Sequence, residues 1–373
     1  MSQTIIAQAL IKGFMLFFVL AVNPAMADQQ ALTKKLEALV NEHNMRGMAV
    51  YVIDQKNTNS YGHAIGMADD ASQTAMSTDT PVRIASNTKT YVAATVLRLH
   101  EEGMLDIDHT MDRYISSTYN DLLKADGYQT NEITLRHLLS HSAGFFDHAA
   151  TPNYMKALAD TPNHQWTRQE QLQKLVEWGD PLWPTNQKFQ YSDSGYLLLG
   201  HIIEQASNLP LAIAVRQYLN FDDNGLNNTW WEISETTPQD AKPRAHQFLG
   251  PRDGYNIHAS FDSYGGGGLL STVEDMAHFY QALFNGKVFK NPETLALMTS
   301  AEQLAEPDKY RLGLFPGKVD DISYFQHSGF WGTSAFYAPD LKMSVAAVVL
   351  NQADYRRMMR FIPELFKAAA DNE

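Results

Sequence analysis

The spacing of apolar residues near the start of the chain predicts a helix followed by a β-hairpin. Leu32, Leu36 and Leu39 recur at helical intervals, so they share one face of a helix that we expect over residues 30–45. The runs GMAVYVIDQ (47–55) and NSYGHAIGMAD (59–69) favour extended structure and have turn residues between them. This end of the chain therefore predicts one helix and two antiparallel strands.

The other end of the chain has a similar texture. The runs ISYFQHSGF, TSAFYAPD and SVAAVVLNQ, within residues 322–352, are apolar or alternating and are separated by glycine or Pro-Asp, which predicts successive antiparallel strands. The final run, YRRMMRFIPELFKAAA (355–370), predicts a closing helix. Strands are thus expected at both ends of the sequence.

Residues from about 104 to 255 differ, because short helical runs such as TLRHLLSH and GYLLLGHIIEQAS alternate there with loops rich in Pro, Asn, Asp and Trp. We expect an all-helical region inserted between the halves of one antiparallel sheet, which is an α+β architecture flanked by terminal helices. The prediction is a single domain over 28–373, with its α/β part at about 28–103 and 256–373.

Composition limits the partners that the chain can have. With 44% apolar residues, 19% charged residues and a formal net charge of −13, the sequence predicts a globular protein. It lacks the clustered Lys and Arg that bind nucleic acid, so we expect a small molecule or a neutral polymer as partner and no nucleic acid. There is no cysteine for a disulfide or a lipid.

The first residues resemble a secretory leader. A lone Lys12 precedes the apolar run GFMLFFVLAV (13–22), and NPAMA (23–27) supplies small residues for cleavage after Ala27. We predict a signal peptide over 1–27, a periplasmic or secreted protein, and no membrane span after cleavage. An uncleaved anchor beginning near Ile5 is the alternative.

Ser86 and Lys89 begin what we predict to be an amphipathic helix that ends at Gly103. A serine at this place is ordinarily an N-cap. Residues three apart on a helix also lie close together, so the Lys89 amine can reach the Ser86 hydroxyl. Lysine can act as a base only where its pKa is lowered by burial or by a cationic neighbour.

Two further motifs offer chemistry. Tyr191 and Asp193 stand in FQYSDSGYLLLG (189–200) directly before a predicted helix, and a phenol beside a lysine can share a proton. His327, Ser328 and Gly329 stand in HSGFWG, inside a predicted strand pair where a glycine allows close approach. Each motif alone also fits a structural role, as a buried aromatic, a helix cap or a strand residue.

Together these motifs resemble the penicillin-recognising serine hydrolases, which include serine β-lactamases, D-alanyl-D-alanine carboxypeptidases and related esterases, and they are most similar to the class C branch. The stretches ITLRHLLSHSAG, GGGGLLSTVEDMAHF, YRLGLF and HSGFWGTSAFYAPD also follow the family's order, so the similarity spans nearly all of the chain after the leader. The resemblance implies a β-lactamase/transpeptidase-like fold with no metal and no cofactor.

The resemblance also implies roles for individual residues. Ser86 would be the acylated nucleophile, Lys89 its activating partner and Tyr191 the general base, and the backbone N–H groups of Ser86 and Phe330 would form the oxyanion hole. The implied substrate-binding residues are Asp193, His327, Ser328 and Gly329. His327 and Ser328 would hold either a substrate carboxylate or the ring of hydrogen bonds around Tyr191.

Two positions depart from the class C pattern, because Asp193 replaces an asparagine and His327 replaces a lysine. A carboxylate near Lys89 would favour the ammonium and oppose its role as a base unless Asp193 points elsewhere. An unperturbed His327 would be about a quarter protonated at pH 7, so anion binding should strengthen as the pH falls.

These departures favour peptidase activity of the D-alanyl-D-alanine carboxypeptidase type over efficient β-lactam hydrolysis. The peptidase would act through an acyl-enzyme formed on Ser86. The alternatives are a β-lactamase or carboxylesterase that uses the same site, and a non-catalytic protein that binds a peptidoglycan fragment. The expected substrate is a small peptide, ester or β-lactam.

Overall fold

The computed structural model describes residues 24–56 and 59–370. The first helix, α1, spans Pro24–Glu42, so it begins earlier than predicted and includes the proposed cleavage position. The rest of the predicted signal peptide lies outside the described residues, and its cleavage and the periplasmic localisation stay predictions.

The central sheet and the helices that cover it come mainly from the residues before and after the middle region (about 104–255). The first part contains β1 (Gly47–Asp54), β2 (Asn59–Asp69), β3 (Thr74–Ala75), β4 (Val82–Arg83) and α2 (Thr88–Glu101). The middle contains α3 (Ser117–Ala125), α4 (Leu135–Leu139), α5 (Pro152–Asp160), α6 (Arg168–Trp178), α7 (Asp193–Ser207), α8 (Leu211–Tyr218), β5 (Trp230–Trp231), β6 (Phe248–Leu249) and β7 (Arg252–Asp253). The last part contains β8 (Leu269–Ser271), α9 (Val273–Phe284), α10 (Pro292–Thr299), β9 (Phe315–Val319), β10 (Ile322–Gly329), β11 (Thr333–Ala338), β12 (Met343–Val349) and α11 (Tyr355–Ala370).

The central sheet joins the two ends of the chain, as the sequence predicts. Its strand order is β3-β2-β1-β12-β11-β10-β9, and β1 lies antiparallel to both β2 and β12. Val50 of β1 is opposite His63 on one side and Ala347 on the other. The edge strand β9 was not predicted, because its sequence FPGKV contains Pro and Gly, which argue against a strand. At the edge of a sheet both residues are tolerated.

Side chains alternate between two apolar layers across this sheet. Met48, Val50 and Val52 pack with α1 and α11 on one face. Ala49 packs on the opposite face in the larger core, and α9 lies against β1, β11 and β12 there. This α+β arrangement confirms the predicted fold class.

Helix α2 departs from its predicted amphipathic character. Every residue from Thr88 to Leu99 is buried, because the helix packs against α7, α8 and α10. Some of its buried polar groups are paired within the protein; Thr90 Oγ1, for example, donates to the Gly313 carbonyl at 2.9 Å. The first turn of α2 therefore holds its side chains in the middle of the fold.

The middle region was predicted to be all-helical, and this prediction is wrong in part. Besides its helices it contains β5, which pairs with β8, and the β6–β7 hairpin. No single helix among the described residues is long and apolar enough to cross a membrane, and α7 with α8 meets that test only as a pair bent by 76°.

Candidate active site

Ser86 lies in a tight turn directly before α2. The turn is a single 3₁₀ element, Ala85–Asn87, and Ala85 adopts a φ of 45°, which is uncommon for a residue with a β-carbon. Asn87, not Ser86, is the N-cap of α2. The ordinary capping role for Ser86 is therefore wrong, and its hydroxyl, in a partly exposed side chain, instead contacts Lys89.

Lys89 is fully buried beneath Ser86. Its Nζ donates to Ser86 Oγ at 2.9 Å, to the Gly266 carbonyl at 2.6 Å and to the Asp193 carboxylate. Burial lowers the pKa of Lys89, but the negative charge of the adjacent Asp193 carboxylate, with that of Asp262, outweighs burial and raises the pKa above the ordinary range. Asp193 thus points at Lys89, and the Lys89 side chain is an ammonium at neutral pH.

The run Gly265 to Gly268 allows this packing. A β-carbon on Gly266 would lie 2.9 Å from Asp193 Oδ1, and one on Gly267 would lie 2.1 Å from Asp262 Oδ2. The absence of side chains at these positions therefore makes room for two carboxylates next to the lysine, and leaves the Gly266 carbonyl free to accept from Lys89.

Tyr191 faces the same two groups. Its ring centroid is 4.9 Å from Lys89 Nζ, and its hydroxyl interacts with both Lys89 and Ser86. Burial raises the pKa of Tyr191 above its ordinary value, although the nearby Lys89 ammonium opposes this. The phenol is therefore protonated at neutral pH and placed where it can exchange a proton with the Ser86 hydroxyl.

A cluster of carboxylates around Lys89 was not predicted. Asp147 Oδ1 accepts from the backbone N–H of Asp193 and of Ala149, each at 3.2 Å. Burial, together with the negative charge of Asp193, raises the pKa of both Asp147 and Asp262 to about 7. These residues stand 46 and 69 positions from Asp193 in sequence, and no motif links them, so only the fold brings them together.

His327 does not have the environment that the sequence predicts. Its side chain is 1% exposed, its Nδ1 accepts from the Ser328 N–H at 2.9 Å and its Nε2 lies 2.9 Å from the Tyr310 hydroxyl. Burial, aided by the Lys89 charge, lowers the pKa of His327 to about 3. The predicted partial protonation at pH 7 is wrong, and so is the strengthening of anion binding by His327 as the pH falls through 6.5.

Strand β10 and the serine turn touch each other closely. A β-carbon on Gly329 would lie 2.1 Å from the Ile84 carbonyl oxygen, which only glycine avoids. Thr333 Oγ1 donates to this same oxygen at 3.0 Å and accepts from Asn87 Nδ2 at 2.8 Å. The turn that carries Ser86 is thereby fixed against the end of β10.

Two backbone N–H donors belong to residues beside this contact. Ser86 and Phe330 both line the clefts at the site, and within the described ranges neither backbone N–H has an intramolecular acceptor. Unpaired donors beside a hydroxyl are the arrangement that an oxyanion requires.

Two clefts meet at Ser86. The first encloses about 510 Å³ and combines apolar walls from Tyr154, Leu158 and Phe261 with acidic groups. The second is wider, about 1210 Å³, and is lined by neutral polar side chains such as Gln326 and Ser328 as well as by Asp147 and Asp193. The predicted residues Ser86, Tyr191, Asp193, His327, Ser328 and Gly329 all line one or both clefts, with Lys89 below them.

The burial of His327 leads to a testable titration. We expect its imidazole Cε1–H signal to keep the neutral chemical shift from pH 8 to pH 5, measured by NMR and assigned by its absence in His327→Gln. The unfolded state takes up a proton on His327 near pH 6.5, and the folded state does so only near pH 3. His327 therefore lowers the free energy of unfolding as the pH falls from about 6.5 to about 3. A titration midpoint near 6.5 would contradict the burial.

Comparisons with known proteins agree with this geometry. The family described as Beta-lactamase matches residues 32–364. Penicillin-binding protein 4* of Bacillus subtilis is 25% identical over 244 residues, which cover 60% of this chain and 49% of that protein, so the match spans about half of its length. Esterase EstB of Burkholderia gladioli is 26% identical over 377 aligned residues, covering 89% of this chain and 93% of the esterase.

Among solved structures, the D-amino acid amidase from Ochrobactrum anthropi SV3 complexed with L-phenylalanine amide has a TM-score of 0.75 at 20% identity, covering 92% of this chain and 99% of the amidase. This similarity shows a shared fold. With the family match over most of the sequence, the chain belongs to the beta-lactamase family.

Proposed function

We propose that this protein is a serine hydrolase that cleaves an amide or ester through an acyl-enzyme at Ser86. The observation that carries the proposal is the Ser86 hydroxyl itself, which accepts from Lys89 Nζ at 2.9 Å and lines two clefts together with Phe330, while the N–H groups of Ser86 and Phe330 have no acceptor among the described residues. A non-catalytic binding protein has no need for this combination.

In the acylation step, the substrate carbonyl oxygen accepts hydrogen bonds from the two N–H groups. Ser86 Oγ forms a bond to the carbonyl carbon, and the carbonyl π electrons move onto the oxygen, where the two donors stabilise the charge. The hydroxyl proton passes to the Tyr191 oxygen while the Tyr191 proton passes to the leaving nitrogen or oxygen. The bond to the leaving group then breaks and the carbonyl re-forms.

Deacylation reverses these transfers. A water molecule bonds to the acyl carbon and gives its proton to Tyr191, which returns a proton to Ser86 Oγ as the ester bond breaks. The products are a carboxylic acid and the free serine.

Lys89 acts in this scheme as a cation. The carboxylate of Asp193 keeps it protonated, so it does not remove the serine proton in the free protein. Its hydrogen bond to Ser86 Oγ instead stabilises negative charge on the oxygen as the proton leaves, and its charge also stabilises partial negative charge on the Tyr191 oxygen while the two protons transfer.

The substrate class is the finer part of the proposal. Relatives with names of the penicillin-binding, esterase and amidase types support amide, ester and peptide substrates. D-Alanyl peptides of the D-alanyl-D-alanine carboxypeptidase type are the first peptides to test, and a β-lactamase or carboxylesterase activity would use the same residues.

Acyl-enzyme formation is tested by intact-mass measurement after incubation with a penicillin and, separately, with an activated ester. We expect an adduct on Ser86 or turnover with at least one of them, and neither with Ser86→Ala. A lasting penicillin adduct favours the peptidase activity, rapid penicillin turnover favours a β-lactamase, and turnover of the ester alone favours an esterase. If folded wild-type protein gives no adduct and no turnover with any acyl donor, the enzymatic proposal is wrong.

The charge of Lys89 is tested by Lys89→Met, which preserves an unbranched side chain. We expect kcat/KM for an activated ester to fall by about 100 to 10,000-fold, the typical effect of losing a group that acts in proton transfer or charge stabilisation. Lys174→Met, a change outside both clefts, is the matched control and should stay near wild type. A loss smaller than about tenfold in Lys89→Met, with folding verified by circular dichroism, would refute the role of this side chain.

A further inference from the structure

The smaller cleft beside Ser86 is lined by acidic and apolar side chains. Asp193 and Asp262 line it together with the apolar Tyr154, Leu158 and Phe261. Among the described residues, neither Lys nor Arg lines this cleft or the wider one next to it. A substrate group that enters the cleft therefore meets negative charge and apolar walls.

The carboxylates of the cleft are only partly compensated. The Lys89 ammonium contacts Asp193, and Asp147, which lines the wider cleft next to it, accepts from two backbone N–H groups. Within the described ranges, the Asp262 carboxylate receives no hydrogen bond and has no ion-pair partner. One lysine thus faces three carboxyl groups, and one of those has no donor.

His148 provides a second observation at the same place. Its side chain is 1% exposed and lines the cleft, and its Nδ1 lies 2.9 Å from Ser194 Oγ. Its Nε2 has no hydrogen-bond partner in the described part of the chain. A buried ring nitrogen without a partner is costly unless a ligand or water satisfies it.

We propose that this cleft binds an ammonium group of the substrate, so that the acyl half of the substrate is an aminoacyl group with a free α-amine. The inference rests on the proposed function and specifies its substrate. Asp262 is the principal specificity-determining residue, because it is the carboxylate that lacks a donor.

The position of the acids fits an α-amine. Ser86 Oγ and the Asp193 carboxylate both contact Lys89 Nζ, so a single nitrogen separates the nucleophile from the acidic group. An α-amine is two covalent bonds from the scissile carbonyl carbon and reaches the same region. The apolar walls are left for the side chain of the aminoacyl group.

The opposite preference, for a substrate carboxylate, is not supported by either cleft. His327 is neutral, and the wider cleft offers a carboxylate only neutral donors such as Ser328. An ammonium placed among desolvated carboxylates instead gains charge-assisted hydrogen bonds and relieves the repulsion among them.

The experiment compares two methyl esters of similar shape, phenylalanine methyl ester, as each enantiomer, and 3-phenylpropionic acid methyl ester, which lacks the amine. We expect wild-type kcat/KM to be at least about tenfold higher for one phenylalanine ester than for the deaminated ester, as for one hydrogen bond between charged groups. In Asp262→Asn this ratio should fall by about tenfold or more. Asp222→Asn, which removes a charge from a side chain that is 90% exposed, should keep the wild-type ratio.

Because both esters are measured on one protein sample, a loss of folded Asp262→Asn protein cancels from the ratio. Equal rates with the two esters in wild type, or an unchanged ratio in Asp262→Asn, overturn the ammonium site while leaving the serine hydrolase intact. If neither ester is hydrolysed or acylates Ser86 in folded wild-type protein, while a penicillin or another activated ester does, the ammonium site is again overturned; if no acyl donor reacts, the proposed function fails with it.

Discussion

The buried ammonium of Lys89 is the constraint on which the site depends. A charge with no exposed surface must find oxygen partners, and Lys89 finds three, in Ser86, Gly266 and Asp193. These partners come from three separate parts of the chain, namely the serine turn, the glycine run and the start of α7. Removing one partner would leave a buried charge short of compensation, so the same contacts that orient the serine also hold these segments together.

The surrounding fold serves this arrangement. The sheet made from both ends of the chain presents the end of β10 to the turn that carries Ser86, and the close contact of Gly329 with Ile84 places Phe330 beside that turn. The middle region covers the other side and contributes Tyr191 and Asp147. The glycine run then supplies the space in which the carboxylates approach the lysine.

Much of this was predictable from local pattern. The strands near both ends of the chain have clear alternation, and the three motifs around Ser86, Tyr191 and His327 do lie together. The burial of α2 on all sides was not predictable, because the helices that cover it, such as α7 and α8, lie far from it in the sequence.

The same limit applies to charge. Whether Asp193 faces Lys89, and whether His327 is solvated, depends on tertiary packing that a motif does not record. The acidic cluster needs residues from three loops or helix starts, so sequence spacing gave no signal for it.

The central claim is that Asp193 keeps Lys89 charged beneath the nucleophile. The most direct measurement is the ¹³Cε and ¹⁵Nζ chemical shifts of Lys89 in selectively labelled protein, assigned by their absence in Lys89→Met, between pH 5 and pH 9. Because the folded-state pKa lies above the ordinary range, we predict ammonium shifts across the whole interval. A Lys89 titration with a midpoint below pH 9 would contradict the account and restore a neutral lysine as the base.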